Sequence, residues 1–166
     1  MNVLCPGSLA QLYDVFDRLD TGQSIALVPA TGGPELTGPP EASGPWLGVT
    51  SSGSTGRPKL QWRRWVEIRN ATVSKPGVIG WTWASPYRPW TFAGVQVAVQ
   101  AWATNGTILS LGTDWVDAWN RLVQHRVEAL SATPTYLDLL LQEEPQAGVS
   151  WEPRQITLGG EPLRAD

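Results

Sequence analysis

Between Pro76 and Leu158 the chain alternates two kinds of segment, and that alternation restricts its fold more than any other feature. Short apolar runs of strand length stand at Val78–Ala84, Thr107–Leu111, Ala129–Ala132 and Gln155–Leu158. Between them lie Phe92–Ala103, Trp115–Arg126 and Pro134–Glu143, which read as helices. Trp115, Ala118, Trp119 and Leu122 recur on one helical face, and Tyr136, Leu137, Leu140 and Leu141 on another. Thr133 and Pro134 supply the cap and first-turn pair of the last helix. A strand that returns through a helix lies parallel to its predecessor, so the predicted class is α/β, a largely parallel sheet with flanking helices.

The residues before this region are less regular. Ser8 is placed to cap a helix carrying Leu9, Leu12, Phe16 and Leu19 at helical spacing, Gly22 stands where that helix should stop, and Ile25–Val28 reads as a buried strand. From Pro29 to Pro45 the composition shifts to Pro, Gly, Thr and Ser without periodicity. The expected division is therefore a lead-in helix, strand and linker over residues 1–45, and the main domain over 46–166. Trp46–Thr50 reads as a strand entering a loop and Leu60–Trp65 as a strand leaving it.

The loop between them is Ser51-Ser52-Gly53-Ser54-Thr55-Gly56-Arg57-Pro58-Lys59. A strand ending in Ser, Thr and Gly can turn backbone N–H groups and hydroxyls toward one point, and a lysine beside such a nest suits phosphate. The plain alternative is a surface turn. The glycine-rich Walker loop does not fit, because Gly53 and Gly56 are too close and Lys59 follows a proline.

These nine residues resemble the signature of the adenylate-forming (AMP-binding) enzymes, which include acyl- and aryl-CoA synthetases, luciferases and peptide-synthetase adenylation domains. That signature runs Ser/Thr, Ser/Gly, Gly, Ser/Thr, Thr, Gly, any residue, Pro, Lys, and every fixed position is filled. Leu60 stands where the family usually has a small residue, and Arg63 and Arg64 follow between Trp62 and Trp65. Three later stretches resemble the family in the same order. Pro86-Tyr87-Arg88-Pro89-Trp90-Thr91-Phe92-Ala93-Gly94 resembles the proline-aromatic segment leading to the helix that lines the acid pocket. Ser131-Ala132-Thr133-Pro134-Thr135 resembles the strand-to-helix turn that follows it. Thr157-Leu158-Gly159-Gly160-Glu161-Pro162-Leu163 resembles the glycine pair near the adenine end of the nucleotide. The short lead-in resembles that of o-succinylbenzoate-CoA ligases more than the long start of luciferases.

The resemblance implies the partial N-terminal domain of an adenylate-forming enzyme, an acid-thiol ligase of the acyl-CoA synthetase kind. The implied reaction is ATP-dependent activation of a carboxylic acid as acyl-adenylate, with coenzyme A as acceptor and Mg2+ beside the phosphates. By the same resemblance Ser51, Ser52, Gly53, Ser54, Thr55, Gly56 and Lys59 hold phosphate, with Lys59 assisting at the β/γ end. Gly159, Gly160, Glu161 and Pro162 approach the nucleotide, and Trp90, Thr91, Phe92 and Gly94 border the acid. No catalytic residue and no metal ligand is assigned. Many relatives carry a histidine where Thr91 stands, and the sole histidine, His125, reads as structural, beside a helix's apolar face. The family's aromatic-Gly-x-Thr-Glu motif, ribose-binding aspartate and adenylation lysine have no match before Asp166. The chain alone is therefore expected to be inactive, an incomplete portion of a ligase whose remaining motifs either follow Asp166 in a continued reading frame or are carried by a separate chain. A noncatalytic nucleotide- or acyl-binding remnant is the alternative, and a sugar-binding or scaffold module using the tryptophans is a third.

Composition narrows the remaining classes. With 42% hydrophobic and 16% charged residues the chain is globular, and its net charge of −3 gives no electrostatic footprint for nucleic acid. No apolar run is long enough to span a bilayer, and no secretory signal opens the chain, so the expected location is cytoplasmic. Cys5 is the only cysteine, which excludes an internal disulfide.

Overall fold

The structure, a computed structural model, describes residues 2–41, 43–51, 57–72, 76–143 and 150–161. The parallel α/β architecture is present, but in two four-stranded sheets rather than one. In the first, β1 (Asn2–Leu4), β2 (Ile25–Leu27) and β3 (Trp46–Ser51) run parallel, and β4 (Lys59–Arg64) returns antiparallel to β3. In the second, β5 (Thr82–Ser85), β6 (Thr107–Ser110), β7 (Ala129–Ala132) and β8 (Gln155–Leu158) are all parallel, in the spatial order β6-β5-β7-β8. The lead-in residues belong to the first sheet, since Ile25 and Ala26 pair with Leu47 and Gly48.

Five helices accompany the sheets among the described residues: α1 (Leu12–Asp20), α2 (Trp65–Ala71), α3 (Phe92–Ala103), α4 (Trp115–Gln124) and α5 (Pro134–Gln142). A 3-10 turn at Leu9–Gln11 leads into α1, and Gly22, at φ 93°, takes the left-handed conformation that ends it. The caps of the later helices are the ones their sequences announce. Asp114 accepts from the Asp117 amide at 3.0 Å, and Thr133 from the Tyr136 amide at 3.1 Å.

Two expected strands are corrected. Leu60–Trp65 ends at Arg64, because Trp65 opens α2, a helix whose only buried side chains are Trp65 and Ile68. One apolar pair is too brief a repeat to announce a helix. Val78–Ala84 begins only at Thr82, since residues 76–78 form a 3-10 turn and Gly80 turns back at φ 75°.

Two apolar cores result. The first gathers Leu9, Leu12, Phe16 and Leu19 with Ile25, Leu27, Leu47 and Val49 of the first sheet and Val95 and Ala98 of α3. The second lies where α4 and α5 meet β7, with Trp119, Leu122, Leu130 and Leu140 buried. Across its seam the Trp119 indole donates to the Leu140 carbonyl at 2.6 Å. The two sheets are tied together by polar contacts from the lead-in. The Leu9 amide donates to Ser110 Oγ at 2.8 Å, and the Tyr13 hydroxyl to the Gly106 carbonyl at 2.9 Å. No helix of the described residues is long and apolar enough to cross a membrane.

Candidate active site

In open parallel sheets a ligand cleft forms at the carboxyl ends of the strands, where successive connections diverge. Here a cleft of about 440 Å³ opens between α2, α3 and the second sheet. Ile68, Ala71 and Thr72 of α2 form one wall and Phe92, Ala93, Gln96, Val97 and Gln100 of α3 another. Trp83, Ser131, Gln155 and Thr157 come from the sheet, while Gly159 and Gly160 follow β8 at the margin.

Hydrogen bonds lock the strand ends that carry this cleft. Buried Ser85 donates its hydroxyl to the Ser131 carbonyl at 2.7 Å and accepts the Tyr87 amide at 3.3 Å. Tyr87 then reaches across to β8, its hydroxyl donating to the Gly159 carbonyl at 3.1 Å. Burial, and secondarily the negative charge of Glu161, push the Tyr87 phenol above its ordinary range, so it remains a donor into more alkaline solution than a free phenol does. Gly160 turns at φ 84°, and Glu161 Oε2 accepts from the Thr135 amide in the first turn of α5 at 3.3 Å. The glycine pair is thus pinned between Tyr87 and α5. Tyr87→Phe is expected to cost about 1 kcal/mol, the worth of one neutral hydrogen bond, and to speed amide exchange at Gly159. Exchange as slow as in the parent chain would show that β8 pairing alone holds the turn.

Thr91, Phe92 and Gly94 meet at the start of α3 but do different work. Thr91 caps the helix, accepting the Gly94 amide at 3.2 Å and donating to the Arg88 carbonyl at 2.7 Å. Gly94 is buried against that same carbonyl, where any Cβ would collide with the Arg88 oxygen. Phe92 lines the cleft, with the Arg63 guanidinium 5.2 Å from its ring centroid. Trp90, Thr91 and Gly94 do not line it. Trp90 instead accepts the Thr50 amide through its carbonyl at 2.7 Å, which fastens the end of β3 to the proline-aromatic segment.

Of the expected phosphate residues, Ser52, Gly53, Ser54, Thr55 and Gly56 lie outside the described residues, as does Pro162 at the far end. Ser51 and Lys59 flank that segment as register partners, and Ser51 Oγ donates to the Lys59 carbonyl at 3.4 Å. Lys59 is exposed and makes no ion pair among the described residues. The structure therefore gathers Phe92, Gly159 and Gly160 on one cleft and ties Thr50, beside Ser51, to Trp90. His125 is exposed just past the end of α4 rather than packed beside its apolar face, because the helix closes at Gln124.

Sequence reasoning missed the α2 wall and Gln155, and it gave no site role to Ser131 or Thr157 although both open stretches that resemble the family. For Trp83 a signal exists in the alternation Trp81-Thr82-Trp83, which puts two indoles on one face of a strand; Trp83 is buried and lines the cleft.

Along most of its length the chain matches solved structures. The N-terminal domain of FACL13 from Mycobacterium tuberculosis, solved with an inhibitor, aligns with TM-score 0.61 and 17% identity over 98% of this chain and 45% of that one. Amide bond synthetase McbA from Marinactinospora thermotolerans gives 0.57 and 18% identity over 95% of this chain and 34% of that one. The o-succinylbenzoate CoA synthetase MenE of Bacillus subtilis, in complex with the acyl-adenylate intermediate OSB-AMP, gives 0.56 and 23% identity over 70% of this chain and 25% of that one. At these identities the likeness is one of fold: the chain has the α/β fold found in the N-terminal portions of adenylate-forming enzymes. It spans less than half the length of each of the three. No protein-family model matches the chain, and no curated protein does.

Proposed function

We propose that this chain is the acid- and phosphate-binding portion of a cytoplasmic ATP-dependent carboxylate ligase. The carboxylate of the acid attacks the α-phosphate of ATP, pyrophosphate leaves, and the acyl-adenylate passes its acyl group to the thiol of coenzyme A with release of AMP. The observation that carries this reading is the gathering of Phe92, Gly159 and Gly160 on one cleft, with the entry to the Ser51–Lys59 segment fastened to Trp90 beside it. Three separate stretches with the family's order along the chain thereby converge at the carboxyl ends of parallel strands.

Within the proposal the cleft orients the acid and excludes water, and Lys59 supplies charge to the leaving phosphates. The described residues hold no cluster of three His, Cys, Asp or Glu side chains. They form no magnesium cage, and no step assigned to them depends on one.

The test is calorimetric titration of the chain with pyrophosphate and with ATP. Lys59→Ala is expected to weaken binding about tenfold or more, since a hydrogen bond to a charged group is worth ~1.5–3 kcal/mol. Unchanged affinity in that variant, or in Lys59→Ala combined with Thr55→Val, would remove the phosphate assignment.

A further inference from the structure

The cleft wall carries a chemical restriction that the reaction class does not. Among the described residues that line it, none is an Asp, Glu, Lys, Arg or His. Its aromatic members are Trp83, Tyr87 and Phe92, and its polar members are hydroxyls and amides such as Ser131, Thr157 and Gln96. Arg63 stacks on the Phe92 ring but is not a lining residue. Trp83 is 5% exposed, and its indole N–H has no acceptor among the described residues. The described wall therefore offers neutral polar groups and aromatic surface and no charged side chain of its own.

A carboxylate brought into such a wall without a counter-charge loses its hydration and gains no partner. Flat rings, by contrast, find the half-buried rings of Tyr87 and Phe92, with buried Trp83 lining the same cleft. We propose that the cleft selects carboxylic acids with an uncharged aromatic body and rejects those bearing a second charge, with Gln96 at the rim setting that charge preference. This rests on the reading above that the cleft receives the acid. Gln96 is exposed and lines the cleft from α3, so a charge can be placed there without burying it.

The experiment follows the tryptophan indole N–H signals of the whole chain by NMR during titration with 2-naphthoate, 2,6-naphthalenedicarboxylate, decanoate and 2-naphthamide. Naphthoate is expected to shift the Trp83 signal and to bind at least tenfold more tightly than the dicarboxylate and several-fold more tightly than decanoate. Gln96→Arg is expected to raise dicarboxylate affinity relative to naphthoate at least fivefold. The proposal is overturned if the dicarboxylate binds as well as naphthoate, if no aromatic ligand moves the Trp83 signal, or if Gln96→Arg leaves the ratio unchanged. If the amide binds as tightly as naphthoate while the ring and charge preferences hold, the selectivity stands and the acid-activating reading fails.

Discussion

Phe16→Ala is expected to lower the free energy of unfolding by about 3–5 kcal/mol, the range for removing a large aromatic side chain from a packed core. Phe16 is fully buried and stacks on Trp65, ring centroids 5.3 Å apart and planes inclined by 14°. On its other side it meets Trp102 edge-on at 5.6 Å. One side chain on α1 therefore joins α2 and α3. The indoles around it are themselves fixed. Trp65 donates to Asp20 Oδ1 at 2.6 Å, Arg69 pairs with the same oxygen at 2.9 Å, and Trp102 donates to Asp17 at 3.1 Å. Rings held this way cannot close over a vacated site, so the cavity term is paid nearly in full. Domains of this size have roughly 5–15 kcal/mol to lose, and the variant should show a much lower urea midpoint by tryptophan fluorescence. Phe16→Leu, which keeps most of the volume, should lose clearly less. The same change should weaken ligand binding, because Ile68, Ala71 and Thr72 reach the cleft from α2. A loss below about 1 kcal/mol would mean that the trio collapses freely and does not brace α2.

Alkaline unfolding should be steep between pH 10 and 12. Burial raises the phenols of both Tyr13 and Tyr136 from 10.0 to about 12. At Tyr136 burial leads, Arg121 pulls the value down and Asp117 pushes it up. Each hydroxyl donates to a backbone carbonyl, Tyr13 to Gly106 at 2.9 Å and Tyr136 to Gly112 at 2.8 Å, and a phenolate cannot donate. Below pH 10 both the folded and unfolded chains hold these protons, and the stabilisation is fully present. As the pH rises through the folded-state values, the unfolded chain has already released protons that the folded chain still binds, and stability falls. The full linkage value of about 1.4 kcal/mol per unit is an upper bound for each tyrosine, because solvent screens phenols that are only partly buried. Urea midpoints measured from pH 9 to 12 should drop accordingly, and Tyr13→Phe combined with Tyr136→Phe should flatten the drop. An unchanged slope in the double variant would assign the loss to other groups.

The site was legible in pieces. Phe92 and the Gly159-Gly160 pair were readable because each sits in a short stretch of distinctive residues beside a strand or helix end. Gly94 was readable as a special position but not for its reason, which is the approach of the Arg88 carbonyl across a turn. Tyr87 belongs to one of those stretches, yet its bond to Gly159 links residues 72 positions apart, and no local pattern encodes such a contact. Gln96 carries no motif and gains a role only because α3 turns it toward the cleft.

The local sequence by itself determined the elements with long repeats or explicit caps. Phe92–Ala103 and Gln155–Leu158 fall where the pattern puts them, and Thr133 and Gly22 start and stop helices as their chemistry requires. These signals are local because backbone hydrogen bonding and capping act within a few residues. Tertiary structure alone decided that the strands divide into two sheets and that Trp65 opens a helix. Pairing and sheet membership depend on which apolar faces bury one another, and those faces come from residues far apart in the chain. Trp65 becomes helical where Phe16 and Trp102 receive its ring, a preference that nothing in residues 60–71 contains.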